Sequence, residues 1–136
     1  MDGFRLRSIG RVASELTDRE AAPRQGDEGA PEADLVFDAD LAQGLGDVAV
    51  GMELIVLTWL HRANREVLVT YPRGDTSRPQ QGVFTTRSPD RPNPIGLHRV
   101  RVLARDGTRV RVAGLEAIDG TPIVDVKPVL DTTADR

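Results

Sequence analysis

Apolar and polar side chains alternate along residues 4–12, Phe4-Arg5-Leu6-Arg7-Ser8-Ile9-Gly10-Arg11-Val12, the period-two pattern of a strand with one face in a core and one in water. Residues 13–34 break the pattern. They are acidic and polar, interrupted by Pro23, Gly26, Gly29 and Pro31, and predict a long loop with at most a helical turn at 17–22. A short strand is predicted at 34–37 and one helical turn at 40–45, stopped by Gly44 and Gly46. The run 52–60, Met52-Glu53-Leu54-Ile55-Val56-Leu57-Thr58-Trp59-Leu60, is the strongest strand and reads as buried on both faces for most of its length. A further strand spans 66–71 and stops at Pro72. Five of the nine prolines follow between Pro72 and Pro94, predicting a stiffened loop at 72–96 with at most a strand at 81–85. The clearest hairpin comes next: 99–103 and 109–112 alternate around Asp106-Gly107. A last strand spans 123–126. Six or seven short strands with hardly a helix predict an all-β fold, a small antiparallel β-barrel closed or nearly so, with long loops.

Composition narrows the functional classes. At 136 residues the chain is expected to form a single domain over 1–136. Its 39% hydrophobic and 29% charged content is that of a soluble globular domain. The longest run without a charge, Gly or Pro is 54–60, far short of the roughly 18 apolar residues of a membrane helix. Met1-Asp2-Gly3-Phe4-Arg5 does not open a signal peptide, so no membrane partner and a cytoplasmic address are expected. With no Cys, disulfides, thiolate metal sites and Cys nucleophiles are excluded.

The net charge of −3 conceals a split. Residues 1–60 sum to −7, residues 61–111 to +7 and residues 112–136 to −3. Nearly every base is Arg, whose planar fork grips carboxylate or phosphate bidentately. The basic middle third, with Arg91 prominent, is therefore a candidate polyanion surface.

Several familiar sites fail on context. Gly44-Leu45-Gly46-Asp47-Val48-Ala49 has the spacing of a dinucleotide fingerprint but precedes the strongest strand instead of opening a helix, so it reads as a turn. His61 ends a buried strand and could be a ligand or a base. His98 flanks a strand and is expected at the surface. The two lack metal-ligand spacing, and no metal site is expected. Ser88 has no nucleophile-elbow context. Three backbone-constrained polar stretches remain: Pro23-Arg24-Gln25-Gly26, residues 86–97, and Asp119-Gly120-Thr121-Pro122. In the second, Pro89, Pro92 and Pro94 fix φ and remove backbone donors, presenting Arg87 and Arg91 at low entropic cost to an anionic ligand.

The stretch Gly82-Val83-Phe84-Thr85-Thr86-Arg87-Ser88-Pro89-Asp90-Arg91-Pro92-Asn93-Pro94-Ile95-Gly96-Leu97 resembles the hallmark of the TsaA-like (TrmO) family. Ile9-Gly10, Pro23-Arg24-Gln25, Trp59-Leu60-His61-Arg62 and Asp119-Gly120-Thr121-Pro122-Ile123-Val124-Asp125-Val126-Lys127-Pro128 match further blocks in order and spacing. Asp90 stands where the family more often has an aromatic or apolar residue. The resemblance implies a non-Rossmann β-barrel methyltransferase that uses S-adenosylmethionine, works as a homodimer, and modifies threonylcarbamoyl-adenosine beside the tRNA anticodon. It places cofactor contacts at Pro23, Arg24, Gln25, His61, Arg62, Arg87, Leu97, Asp119, Gly120, Thr121 and Pro122. Arg91 and Asn93 are expected at the substrate, in the anticodon loop, and Asp119 or His61 could take the acceptor's proton. A methyltransferase of the same fold acting on a small metabolite, or a non-catalytic S-adenosylmethionine sensor, are the alternatives.

Overall fold

The computed structural model describes residues 3–16 and 32–130. Eight strands follow in chain order: β1 (Gly10–Ala13), β2 (Ala33–Phe37), β3 (Glu53–Trp59), β4 (Val69–Thr70), β5 (Gln81–Gly82), β6 (Ile95–Asp106), β7 (Arg109–Ala113) and β8 (Pro122–Pro128). Six of them close an antiparallel barrel in the order β1-β2-β7-β6-β3-β8, with β8 returning to β1. The all-β barrel predicted from the alternation is the fold observed. Closure leaves no strand edge in the ring to pair with another chain. β4 and β5 form a separate two-stranded ribbon.

Alternation sorts side chains between the barrel interior and its outer surface. Leu54, Val56 and Thr58 of β3 point inward with Gly96, His98, Val100 and Val102 of β6, Val110 and Val112 of β7, Leu35 of β2, Val12 of β1 and Ile123 of β8. Branched residues dominate because they fill a pleated, curved surface with little rotamer freedom to lose. Leu45, from the 3-10 segment Ala39–Leu45, and Leu115 and Ala117, from the chain between β7 and β8, complete the core.

Five expectations are corrected. β3 is fully buried on its inner face only: Ile55, Leu57 and Trp59 are half-buried and Glu53 is exposed, because among the described residues no second layer covers that face. The first strand is shorter than 4–12, since Phe4 and Leu6 stand in solvent and pairing begins at Gly10. The strand expected at 66–71 shrinks to the two residues of β4, and that at 81–85 to β5 followed by a 3-10 turn, Val83–Thr85. The hairpin turn is one residue further on than Asp106-Gly107. Asp106 pairs with Arg109, so Gly107-Thr108 is the loop, with positive φ at Gly107 alone. Most of the predicted 13–34 loop, its helical turn and Pro23, Arg24 and Gln25 lie outside the described residues.

Candidate active site

Near the junction of β3 and β6 a cleft of about 1020 Å³ opens between three loops. Leu60, His61 and Arg62 form one wall as the chain leaves β3, held there by the Leu60 N–H donating to Pro94 O (2.8 Å). The β4–β5 ribbon brings Tyr71 and Arg73, and the turn after β5 brings Phe84. Ile95, Gly96 and Leu97 at the start of β6, with Glu116, Ala117, Ile118 and Thr121 before β8, line the rest.

The proline-rich loop owes its shape to Arg91. Its guanidinium donates to Thr86 O (3.0 Å), Ser88 O (2.9 Å) and Val83 O, satisfying three carbonyls in a segment whose prolines supply few donors. Asp90 ties the same loop to the β3 exit by accepting the Asn64 N–H (2.8 Å). Arg65 lies over the Trp59 ring at 5.1 Å and donates to Pro92 O (2.7 Å) and Asn93 Oδ1 (3.0 Å). Of the two residues expected at the substrate, Arg91 lines the cleft and Asn93 does not, and the polar groups of both also hold the loop.

Of the other predicted residues, the cleft gathers His61, Arg62, Arg87, Leu97 and Thr121. His61 and Arg87 are exposed, and neither has a hydrogen-bond or ion-pair partner among the described residues. Thr121 is buried, and its hydroxyl donates to Ile118 O (2.7 Å). Asp119, Gly120 and Pro122 do not line the cleft. Asp119 accepts the Ser14 N–H (3.0 Å) and its own N–H donates to Leu16 O, while the Gly120 N–H donates to Val12 O. These two residues fix the segment that leads into 23–25.

Sequence reasoning missed the polar group beneath the cleft. His98 is buried, not at the surface, because even-numbered positions of β6 face inward. Its Nε2 lies 2.7 Å from Thr58 Oγ1 and its Nδ1 3.0 Å from Glu116 Oε1. Nδ1–H donates to the carboxylate, and Nε2 then accepts the Thr58 hydroxyl proton. Gly96 makes room for the pair, since a Cβ there would sit 2.5 Å from Thr58 Oγ1 and 2.7 Å from His98 Nε2. Glu116 Oε2 is buried without a partner. The usable signal was the inward phase of β6, which runs through Gly96, His98 and Val100. Tyr71 and Phe84 were also missed as cleft residues, because both fall in segments that read as strands.

The +7 segment is not a bare basic face. Arg99 pairs with Glu53 (2.6 Å), Arg109 with Asp34 (2.8 Å), and Arg111 with Glu32 (3.1 Å) and Asp34 (3.3 Å). The hydrogen bond from Arg111 to Glu32, aided by the charge of Asp34, raises the Arg111 pKa further. Arg105 donates to the carbonyls of Leu45 and Val48. The acidic first third and basic middle third of the sequence are thus partners across β2–β7 and β3–β6. Among the described residues no group of three or more His, Asp or Glu side chains could hold a metal ion, and no helix is long and apolar enough to cross a membrane.

A six-stranded barrel with a loop-built cleft, an uncommitted Arg and an apolar β6 lip defines a non-Rossmann ligand-binding barrel protein. The chain belongs to the family of the tRNA-methyltransferase O N-terminal domain, whose profile it matches over residues 11–135. It is similar to an "S-adenosyl-L-methionine-binding protein" of Archaeoglobus fulgidus, 40% identical over 122 residues that cover 90% of this chain and 86% of that one. A "Probable S-adenosyl-L-methionine-binding protein" of the same organism is 43% identical over 127 residues, covering 93% of this chain but only 34% of the relative. The fold is similar to the crystal structure of TrmO from Pseudomonas aeruginosa, with TM-score 0.74 and 28% identity over 98% of this chain and 60% of that one. The chain thus spans about a third of one relative and three-fifths of the solved structure.

Proposed function

We propose that this protein is an S-adenosylmethionine-dependent N-methyltransferase acting on threonylcarbamoyl-adenosine beside the tRNA anticodon, as a cytoplasmic homodimer. The observation that carries this reading is the cleft at the family-matching loop, where Arg87 and His61 have no partner among the described residues and stand beside an apolar lip. The residues fit the cofactor. Arg87 offers a fork to its carboxylate, Ile95, Leu97 and Ile118 offer apolar cover to its adenine, and the volume suits a ligand of that size. His61, Arg62 and Thr121 add polar contacts, Pro23, Arg24 and Gln25 are kept as contacts on the resemblance alone, and Asp119 and Gly120 anchor residues 12–16. Pro122 opens β8 directly beyond them.

When bound, S-adenosylmethionine supplies an electrophilic methyl group on a positively charged sulfur. The protein's share is to hold the acceptor nitrogen in line with that methyl and to keep water away. Phe84, exposed at the cleft mouth, and Tyr71 give flat faces on which an unpaired base can stack. The outer face of β3–β6 supports the homodimer: Leu57 and Trp59 lie opposite Leu97 and Ile95, forming a partly exposed apolar patch that adjoins the cleft.

One observation favours a second reading. Because Arg99, Arg109 and Arg111 of the strands are paired with carboxylates, part of the charge of the +7 segment is neutralised within the fold, which suits a small-molecule acceptor. The test is methyl transfer from labelled S-adenosylmethionine to total tRNA of a methylation-deficient strain, followed by nucleoside mass analysis. Label on threonylcarbamoyl-adenosine is expected. Saturable cofactor binding without transfer would move the assignment to a metabolite acceptor or a sensor, and absence of binding would overturn it.

A further inference from the structure

Glu116 is the carboxylate that the cleft itself presents. Asp119, three residues on, is engaged with the Ser14 amide, and Asp90 with the Asn64 amide. Glu116 is held from behind: Oε1 takes the His98 Nδ1–H at 3.0 Å, and His98 is fixed in turn by Thr58 at 2.7 Å. Thr58 is wholly buried, so the array cannot work as a hydrolase triad with Thr as nucleophile. Its polarity is the reverse, with the hydroxyl at the closed end and the carboxylate at the cleft. Among the described residues Oε2 has no partner, and a buried unpaired carboxylate oxygen calls for a donor. Glu116 is the one carboxylate-bearing residue among the described residues that line the cleft, so a ligand lying against the 116–118 wall meets it.

We propose that Glu116 takes the proton from the acceptor nitrogen during methyl transfer, with His98 and Thr58 as positioning residues; this rests on the methyltransferase reading. As the nitrogen bonds to the methyl carbon, the carbon–sulfur bond breaks and its electron pair stays on sulfur. The N–H proton passes to the Glu116 carboxylate, leaving a neutral N-methyl product, a thioether and a carboxylic acid that gives its proton to the water refilling the open cleft once the product leaves. A carboxylate is an adequate base because the nitrogen becomes strongly acidic once its lone pair engages carbon.

The test compares wild type with Glu116→Gln, which keeps an acceptor for the His98 Nδ1–H, and Thr58→Val, which keeps the inner shape but removes the donor to Nε2. Calorimetric S-adenosylmethionine affinity, thermal melting and single-turnover methylation of unmethylated tRNA are read on each. Expected for E116Q are cofactor affinity and KM for tRNA within about 3-fold of wild type and kcat lower by about 100-fold or more. T58V should lose roughly 3- to 10-fold in kcat at unchanged affinity, the mark of misplacement without loss of a binding contact. An E116Q enzyme with kcat within about 3-fold of wild type overturns the proposal, as does loss of cofactor binding in E116Q, which would make Glu116 a cofactor contact. If wild type itself transfers no methyl, the function reading fails first, and that failure is visible before any variant is made.

Discussion

Replacing Gly96 by Ala tests whether the polar array under the cleft is packed as tightly as its distances state. The added Cβ would lie 2.5 Å from Thr58 Oγ1, 2.7 Å from His98 Nε2 and 3.1 Å from Leu60 Cδ2. Thr58 and His98 are themselves only 2.7 Å apart, so the methyl presses on both ends of one hydrogen bond. Overpacking of this kind costs about 1–3 kcal/mol. Separating the pair leaves a buried donor or acceptor unsatisfied, another roughly 1–3 kcal/mol. A loss near 4 kcal/mol is expected, and with a melting entropy of about 2.1 cal/mol/K per residue this lowers Tm by about 10–15 °C. Urea unfolding followed through the single Trp, with calorimetry alongside, measures it. The midpoint should fall at unchanged slope. Gly44→Ala, whose Cβ would meet nothing within 4 Å, is the control and should be nearly neutral. In a Thr58→Ala background the cost of G96A should shrink, because one of its two obstacles is gone. A G96A protein that loses less than about 1 kcal/mol, or the same amount with and without Thr58, refutes the reasoning.

Three other outcomes are expected. Arg91→Ala should lower stability by about 2 kcal/mol, from charged hydrogen bonds lost to three carbonyls, and speed amide exchange in 83–91; lost RNA affinity at unchanged melting would contradict this. Arg87→Glu should weaken S-adenosylmethionine binding about 10- to 100-fold by calorimetry while leaving Tm alone, because the side chain is exposed and unpartnered. Unchanged affinity would remove Arg87 from the cofactor site. The Ser77 hydroxyl, and then its amide, hold the Asp75 carboxyl below its ordinary 3.8. A lowered folded-state pKa means that this turn's contribution is present above that ordinary value and is lost as pH falls through the lowered one. Ser77→Ala should raise the Asp75 pKa, read by carbon NMR titration, and no rise would show the hydroxyl to be idle.

Period and punctuation made β3 and the β6–β7 hairpin legible, since alternation and a Gly turn are local properties. The same signal overran at 4–8, which no strand of the ring pairs, and at 66–71, where only Val69 and Thr70 pair, with β5. The cleft loop was legible as a motif, and its density of prolines announced stiffness. Side-chain direction was not. Proline stiffening and the basic segment marked Arg91 as a ligand group, and only the structure shows its guanidinium serving carbonyls that the prolines leave short of donors.

By itself the sequence determined an antiparallel all-β chain and the segment around which its site is built, because strand period, turn residues and proline stiffness act over a few neighbours. Tertiary structure alone decided which charges are spent on one another and which remain for a ligand. Arg109 meets Asp34, Arg99 meets Glu53, and His98 meets Thr58 and Glu116 only because the ring brings together strands some 18 to 75 residues apart in sequence. Hydrogen bonds and ion pairs depend on distances of a few ångströms, and closure of the barrel sets those distances.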